Sequence, residues 1–277
     1  MLSSRIHQVI HMYTSSYVHL GLCTLFFMIF SYHALDYPLN EEYIKSIIPA
    51  IIACYCYYKI YQDTSLHIQS SKIWLKRWMW INIIISVTYT EVWNKTLWWL
   101  IIPVTITVAY IHPYVSSALK IRQIPFLKNL LIGLCFSMVT AAIPLLDAHA
   151  DAYIIGMYSA ITFILYLVLS VLFDIRDAER DILTEKSNIA SILGIPKAKT
   201  YSYILMGIMV LMALWLTNRF IMDINHFGAF GIMTIFLGTT IWKANPISQN
   251  STISEKYYYD LWAESLPALP FLIALIV

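Results

Sequence analysis

Charge is what this sequence has least of. Lys, Arg, Asp and Glu together make up 12% of its 277 residues, about half the share found in soluble domains. The net charge is +2, so no basic excess points to a nucleic-acid partner. Cysteine is scarce as well. Cys23, Cys54, Cys56 and Cys135 all fall in apolar stretches, and the Cys54-x-Cys56 pair has no second pair to complete a zinc site. They read as small apolar packing residues. The first apolar run follows Arg5, His7 and His11 without a small-residue cleavage site, so it does not read as a removable signal peptide. Internal repeats and long polar stretches are missing too, which leaves one helical membrane domain over 1–277 as the expectation.

What is abundant is apolar and aromatic. Hydrophobic residues reach 59%, and twenty Tyr, twelve Phe and nine Trp give an aromatic share of 15%. Crossing a bilayer takes about 20 mainly apolar residues in a helix. Nine stretches qualify as candidates: 16–34, 43–61, 74–92, 96–112, 130–146, 153–173, 201–217, 227–242 and 257–277. Lys and Arg are split unevenly between the two ends of these spans. Fifteen of the eighteen fall on the side of the N-terminus and of the loops after spans two, four, six and eight. Lys45, Lys95 and Arg219 fall on the other. The positive-inside rule then puts the N-terminus in the cytoplasm.

Carboxylates cluster where span six ends. Asp174-Ile-Arg176-Asp177-Ala-Glu179-Arg180-Asp181 spaces three aspartates at i, i+3 and i+7, on one stripe of a helix. Arg176, Glu179 and Arg180 are expected to point elsewhere. Three like charges on a stripe repel, and a divalent cation such as Mg²⁺ would offset them. The loop after span four supplies Lys120, Arg122 and Lys128 on the same side, placed to hold phosphates that such a cation bridges. Elsewhere, Asp147-Ala-His149-Ala-Asp151 reads as a solvated turn. Asp260 and Glu264, one turn apart in the last span, read as hydrogen-bonding groups within the bundle.

The Asp174–Asp181 segment resembles the second aspartate-rich motif of the UbiA superfamily of intramembrane prenyltransferases. Ile192-Leu193-Gly194 resembles the continuation of that motif, and Tyr114–Lys128 running into Leu131-Ile132-Gly133-Leu134 resembles the stretch between the family's fourth and fifth helices. The resemblance implies an all-α bundle of about nine spans around a central cavity open towards the membrane. It also implies a polar cap in which two Asp-rich motifs hold Mg²⁺ and a prenyl diphosphate. Two departures stand out. Where the family's first motif belongs, the chain reads Tyr57-Tyr-Lys59-Ile-Tyr-Gln-Asp63-Thr-Ser-Leu-His67, with Asp63 its one carboxylate. After Asp181, Glu185 and Asn188 stand where the family has Gly and Thr.

The expected activity is Mg²⁺-dependent transfer of a prenyl group from a prenyl diphosphate to an apolar aromatic or lipid acceptor at the cell's inner membrane. Asp174, Asp177 and Asp181 are the expected catalytic and metal residues, joined at the metal by Asp63. Lys120, Arg122, Lys128 and Lys59 are the expected diphosphate ligands. Terpene cyclisation, and lipid binding without catalysis, are the alternatives.

Overall fold

The computed structural model describes residues 13, 16–38, 40–62, 69–89, 95–112, 124, 126–183, 188–219, 221–247 and 258–276, with backbone alone at 62, 69–71, 95–97 and 180–183. Every regular element among the described residues is helical. They are α1 (Val18–Ala34), α2 (Glu41–Gln62), α3 (Gln69–Tyr89), α4 (Ile101–Ile111, entered through a 3₁₀ turn at Lys95–Leu100), α5 (Leu127–Asp147), α6 (Ala152–Leu183), α7 (Ile189–Leu193), α8 (Ile195–Asn218), α9 (Ile224–Lys243) and α10 (Leu269–Ala274). Among the described residues, helical turns fall within each of the nine stretches picked out from the sequence, but most of these helices are not long and apolar enough to count as spans. Four helices are long and apolar enough to cross a membrane by themselves: α5, α6 up to Glu179, α8 and α9. This is a membrane protein by that measure.

Local chemistry explains the starts and the breaks. Asp151 accepts from the Tyr153 amide at 2.7 Å and opens α6, and Asp223 does the same for Asn225 at 2.9 Å in α9. Asn188 and Ser191 form a reciprocal capping box on α7. Gly194 then turns the chain at φ +78°, where a side chain would be strained, and Pro196 sits in the first turn of α8. Within α5 the turn Met138–Ala142 is π-helical. Pro144 follows it, and the amide that proline lacks forces the wider hydrogen bonding just upstream. Pro267 and Pro270 likewise divide the last span. A π turn at Tyr258–Ala263, a 3₁₀ turn at Leu266–Ala268 and the short α10 stand in place of one continuous helix.

The bundle is built around α6. Its Leu165, Val168, Leu172 and Ile175 have no accessible surface, or none to speak of, and pack with Phe27 of α1, Met209 of α8, Met233 of α9 and Leu266 of the last segment. A second cluster joins α1, α2 and α5 through Met28, Ile47 and Ile143. A third joins α2 to α3 through Cys56, Ile60 and Leu75, where Cys56 packs as an apolar residue. Outward faces stay apolar: Trp80 and Ile84 on α3, Ile204 and Leu211 on α8, Ile235 and Trp242 on α9 are all exposed. Exposed apolar surface on this scale is stable against lipid, not water.

Different contacts tie the two ends of α6 and its neighbours. At one end the Ile247 amide donates to the Arg176 carbonyl at 2.9 Å, and Lys199 reaches the Trp242 carbonyl at 2.9 Å. At the other end Asn40 donates to Asp147, so the Asp147–Asp151 segment is a hydrogen-bonded turn followed by a helix cap. Gly133 is where α5 comes closest to α6. A Cβ there would lie 3.1 Å from the Phe163 ring and from its carbonyl oxygen. Gly133→Val is therefore expected to lower the melting temperature in detergent, by the equivalent of about 1–3 kcal/mol. Gly231→Ala, with nothing within 4 Å of its Cβ, is expected to leave it unchanged or slightly raised.

Candidate functional site: paired charges at the end of α6

Asp174 lies two-thirds of the way along α6 and has no accessible surface. A carboxylate in that position must be neutralised and fully hydrogen-bonded. Three elements converge to do this. Lys128 Nζ, at the start of α5, donates to Oδ1 at 2.5 Å. Asn129 Nδ2 donates to Oδ2 at 2.8 Å, and the Ile189 amide, the first of α7, donates to the same oxygen at 3.2 Å. Asn129 Nδ2 also reaches Ser170 Oγ at 2.9 Å. Its own Oδ1 is buried and has no partner.

One turn on, Arg176 folds back over Asp177 instead of pointing elsewhere. Its Nε and Nη2 donate to the two carboxylate oxygens at 2.9 and 3.1 Å. Nη1 crosses to Asp260 Oδ1 at 3.0 Å, and the guanidinium lies 4.9 Å from the Phe173 ring centroid. A bidentate pair between neighbouring residues is a consequence of the planar guanidinium fork. Asp260 is thus an ion-pair partner within the bundle, as its position suggested. Glu264, one turn further, is not: among the described residues no hydrogen bond or ion pair reaches its carboxylate.

Lys128, Arg176, Tyr55 and Glu264 all keep accessible surface: 27% of the Lys128 side chain and 23% of the Arg176 side chain are accessible, and Tyr55 and Glu264 are half-buried. A run of aromatic rings joins α1, α2, α5 and α6. Phe136 stacks on Tyr166 at 4.4 Å between centroids, Tyr55 lies 6.3 Å from Phe136, and Tyr17 lies 5.3 Å from Tyr55. Tyr166 is buried and its hydroxyl has no hydrogen-bond partner. Thr24 faces it, but the Thr24 hydroxyl is donated to the Leu20 carbonyl at 2.9 Å. His19, also buried, ties α1 to the last segment through the Leu261 carbonyl and Ser265 Oγ, both at 3.1 Å.

The residues singled out from sequence divide three ways. Asp174, Asp177 and Lys128 come together at one end of α6. Lys59 is half-buried in the last turn of α2, one turn beyond Tyr55. Asp63, Lys120 and Arg122 lie outside the described residues, as does the side chain of Asp181. The backbone of α6 continues helically through Asp181, which keeps it on the Asp177 face. As ligands for a divalent cation, Asp174 does not fit, since it is wholly enclosed and its oxygens are engaged. Asp177 keeps 15% of its side chain accessible. Among the described residues no group of three or more His, Cys, Asp or Glu could hold a metal ion.

The participation of Asn129, Arg176 and Glu264 was not read from sequence. Arg176 carried a usable signal, because an arginine between two aspartates at the end of an apolar helix needs a partner. Asn129 carried none, and Glu264 stood out only as a carboxylate in the last span, read as hydrogen-bonding within the bundle. Comparison with known proteins identifies no relative: no family model, no curated protein and no solved structure matches the chain.

The enclosed ion pair is testable by stability. Lys128→Met strands the Asp174 charge and is expected to lower stability by roughly 3 kcal/mol, at the low end for a broken buried pair because Lys128 keeps some accessible surface. The double variant Lys128→Met/Asp174→Leu is expected to recover most of that loss. Thermal unfolding in detergent reads both.

Proposed function

We propose that this chain is an intramembrane prenyltransferase, transferring a prenyl group from a prenyl diphosphate to an apolar acceptor with Mg²⁺ as cofactor. One observation carries the reading: Lys128 and Arg176 meet the carboxylates at the end of α6 with 27% and 23% of their side chains accessible, in a bundle crossed by the contacting rings of Tyr17, Tyr55, Phe136 and Tyr166. Partly accessible cations in a membrane bundle call for an anion, and the rings suit an apolar or cationic body attached to it. A prenyl diphosphate has both parts. The resemblance of Asp174–Asp181 to the UbiA superfamily's second motif supports the same reading, as does an all-helical chain with four helices long and apolar enough to cross a membrane. In this reading the nine helices cross the inner membrane with the N-terminus and the charged end in the cytoplasm.

Each group then has a task. Lys128 and Arg176 turn from Asp174 and Asp177 towards the incoming diphosphate, and their charge offsets the charge that grows on it as the C1–O bond breaks. Asp177, Asp181 and Asp63 are the residues that would hold Mg²⁺, which would supply Lewis-acid neutralisation of that leaving group. Lys59, Lys120 and Arg122 are the further diphosphate ligands this reading expects. Tyr55, Phe136 and Tyr166 keep water from the allylic cation and present ring faces to it. Asp174 acts through Lys128 as a positioning residue.

A second reading has its own support. Asp174 and Asp177 are each neutralised by a cation of this chain, so the charged end is complete without a metal. That favours a lipid-binding protein without catalysis. Purified protein and a panel of prenyl diphosphates separate the two. Under the transferase reading, diphosphate release requires Mg²⁺ and falls by at least a hundredfold in Asp177→Ala with the melting temperature retained. No release with any chain length, with membrane lipid extract present as acceptor, would leave the binding reading.

A further inference from the structure

At the end of α6 away from Asp174, the outer face of the bundle is grooved between α6 and α8. On α8, Ile208, Leu211, Met212 and Trp215 recur at helical spacing and form one stripe. On α6, Tyr153 and Met157 lie one turn apart and line the other wall. The groove has a volume of about 490 Å³, within the roughly 300–1,000 Å³ typical of small-molecule sites. Its lining is almost wholly apolar. Tyr153, Ile208, Leu211 and Trp215 are all exposed, so it opens outwards along a helix long and apolar enough to cross a membrane. A groove on such a face opens to lipid.

Its end is polar. Trp215 Nε1 donates to the Tyr153 hydroxyl at 2.5 Å, which joins the two walls. Tryptophan and tyrosine gather where the hydrocarbon of a bilayer meets its headgroups. One turn beyond, Arg219 is exposed, and its guanidinium lies 5.0 Å from the Trp215 ring centroid. The carboxylates that cap the neighbouring helix starts, Asp151 and Asp223, accept amides of their own helices at 2.7 and 2.9 Å. Among the described residues no hydrogen bond or ion pair takes up the Arg219 guanidinium. A guanidinium stacked on a ring keeps its fork of donors free, and that fork matches a phosphate. From Ile208 to Arg219 the stripe covers about 16 Å of helix, half the ~30 Å of bilayer hydrocarbon. That is the depth of one leaflet.

We propose that this groove binds one anionic phospholipid, with an acyl chain between α6 and α8 and the headgroup phosphate accepting from Arg219. The site is separate from prenyl transfer and does not depend on that reading. Headgroup charge is what it discriminates. A phospholipid whose headgroup also carries an ammonium gains less from Arg219 than one with the phosphate alone. Trp215 positions the guanidinium, and the Tyr153 hydroxyl holds Trp215.

The test is competition in detergent. Delipidated protein is given an equimolar mixture of phosphatidylglycerol and phosphatidylcholine with matched acyl chains, and native mass spectrometry counts the lipids retained. Wild type is expected to retain one phosphatidylglycerol over phosphatidylcholine by roughly fivefold, the worth of one cation beside a headgroup. Arg219→Gln is expected to bring that preference below about twofold, and Arg219→Lys to keep most of it. Lys45→Gln, at a lysine already paired with Glu41 and Glu42 at 3.1 and 3.2 Å, is expected to leave it unchanged. Glycerol phosphate without acyl chains is expected not to displace the bound lipid, even in large excess. Equal melting temperatures establish that the variants fold. No preference in wild type, or a preference that survives Arg219→Gln in full, would overturn the proposal. Displacement by glycerol phosphate would overturn it as well, because the groove then contributes nothing.

Discussion

A carboxylate with no accessible surface, in the middle of an apolar bundle, has to be neutralised where it stands, and the end of this molecule is arranged around doing that for Asp174. Lys128 from α5, Asn129 beside it and the first amide of α7 all end on its two oxygens. Leaving such a charge unpaired in low dielectric would cost more than most single contacts in the fold supply. The pair therefore fixes the register of α5 against α6, which Gly133 allows to approach closely, and holds α7 across the end of α6. With α7 placed, Gly194 and Pro196 direct α8 back along α6. The positions of four helices follow from one ion pair.

The same end of α6 gathers further charge. Lys128 approaches Asp174 from α5, and Arg176 pairs with Asp177 beside it and with Asp260 of the proline-broken last segment. Phe136 of α5 stacks on Tyr166 of α6. The outcome is a cluster of paired charges at the end of α6 beside a run of rings. Asp174, Asp177 and Asp260 are each paired to a cation.

Much of this was legible in the sequence, and the parts that were not have identifiable physical reasons. Apolar run length located the helices well, because the bilayer fixes how long a span must be. It failed at the last span, where Pro267 and Pro270 break a run that composition alone shows as continuous. Span six was read as ending at 173, since charge begins there. The helix runs on through Leu183 because its carboxylates are paired with Lys128 and Arg176. The stripe of Asp174 and Asp177 was visible from spacing, but the spacing could not show that Asp174 is spent on an internal pair. Asn129 became visible once helices distant in sequence were packed, since nothing in its local context separates a buried polar residue from an ordinary one.

The account stands on Lys128 and Arg176 presenting an anion site beside the run of rings. The most direct test is binding of a prenyl thiolodiphosphate, which does not ionise, to the purified protein with Mg²⁺, set against the matching prenol. Saturable binding of the diphosphate analogue, weaker by roughly tenfold or more in Arg176→Gln and again in Lys128→Met, with much weaker binding of the prenol, is the predicted result. Equal affinity for analogue and prenol, or unchanged affinity in both variants, would contradict it and show that the two cations serve the fold alone.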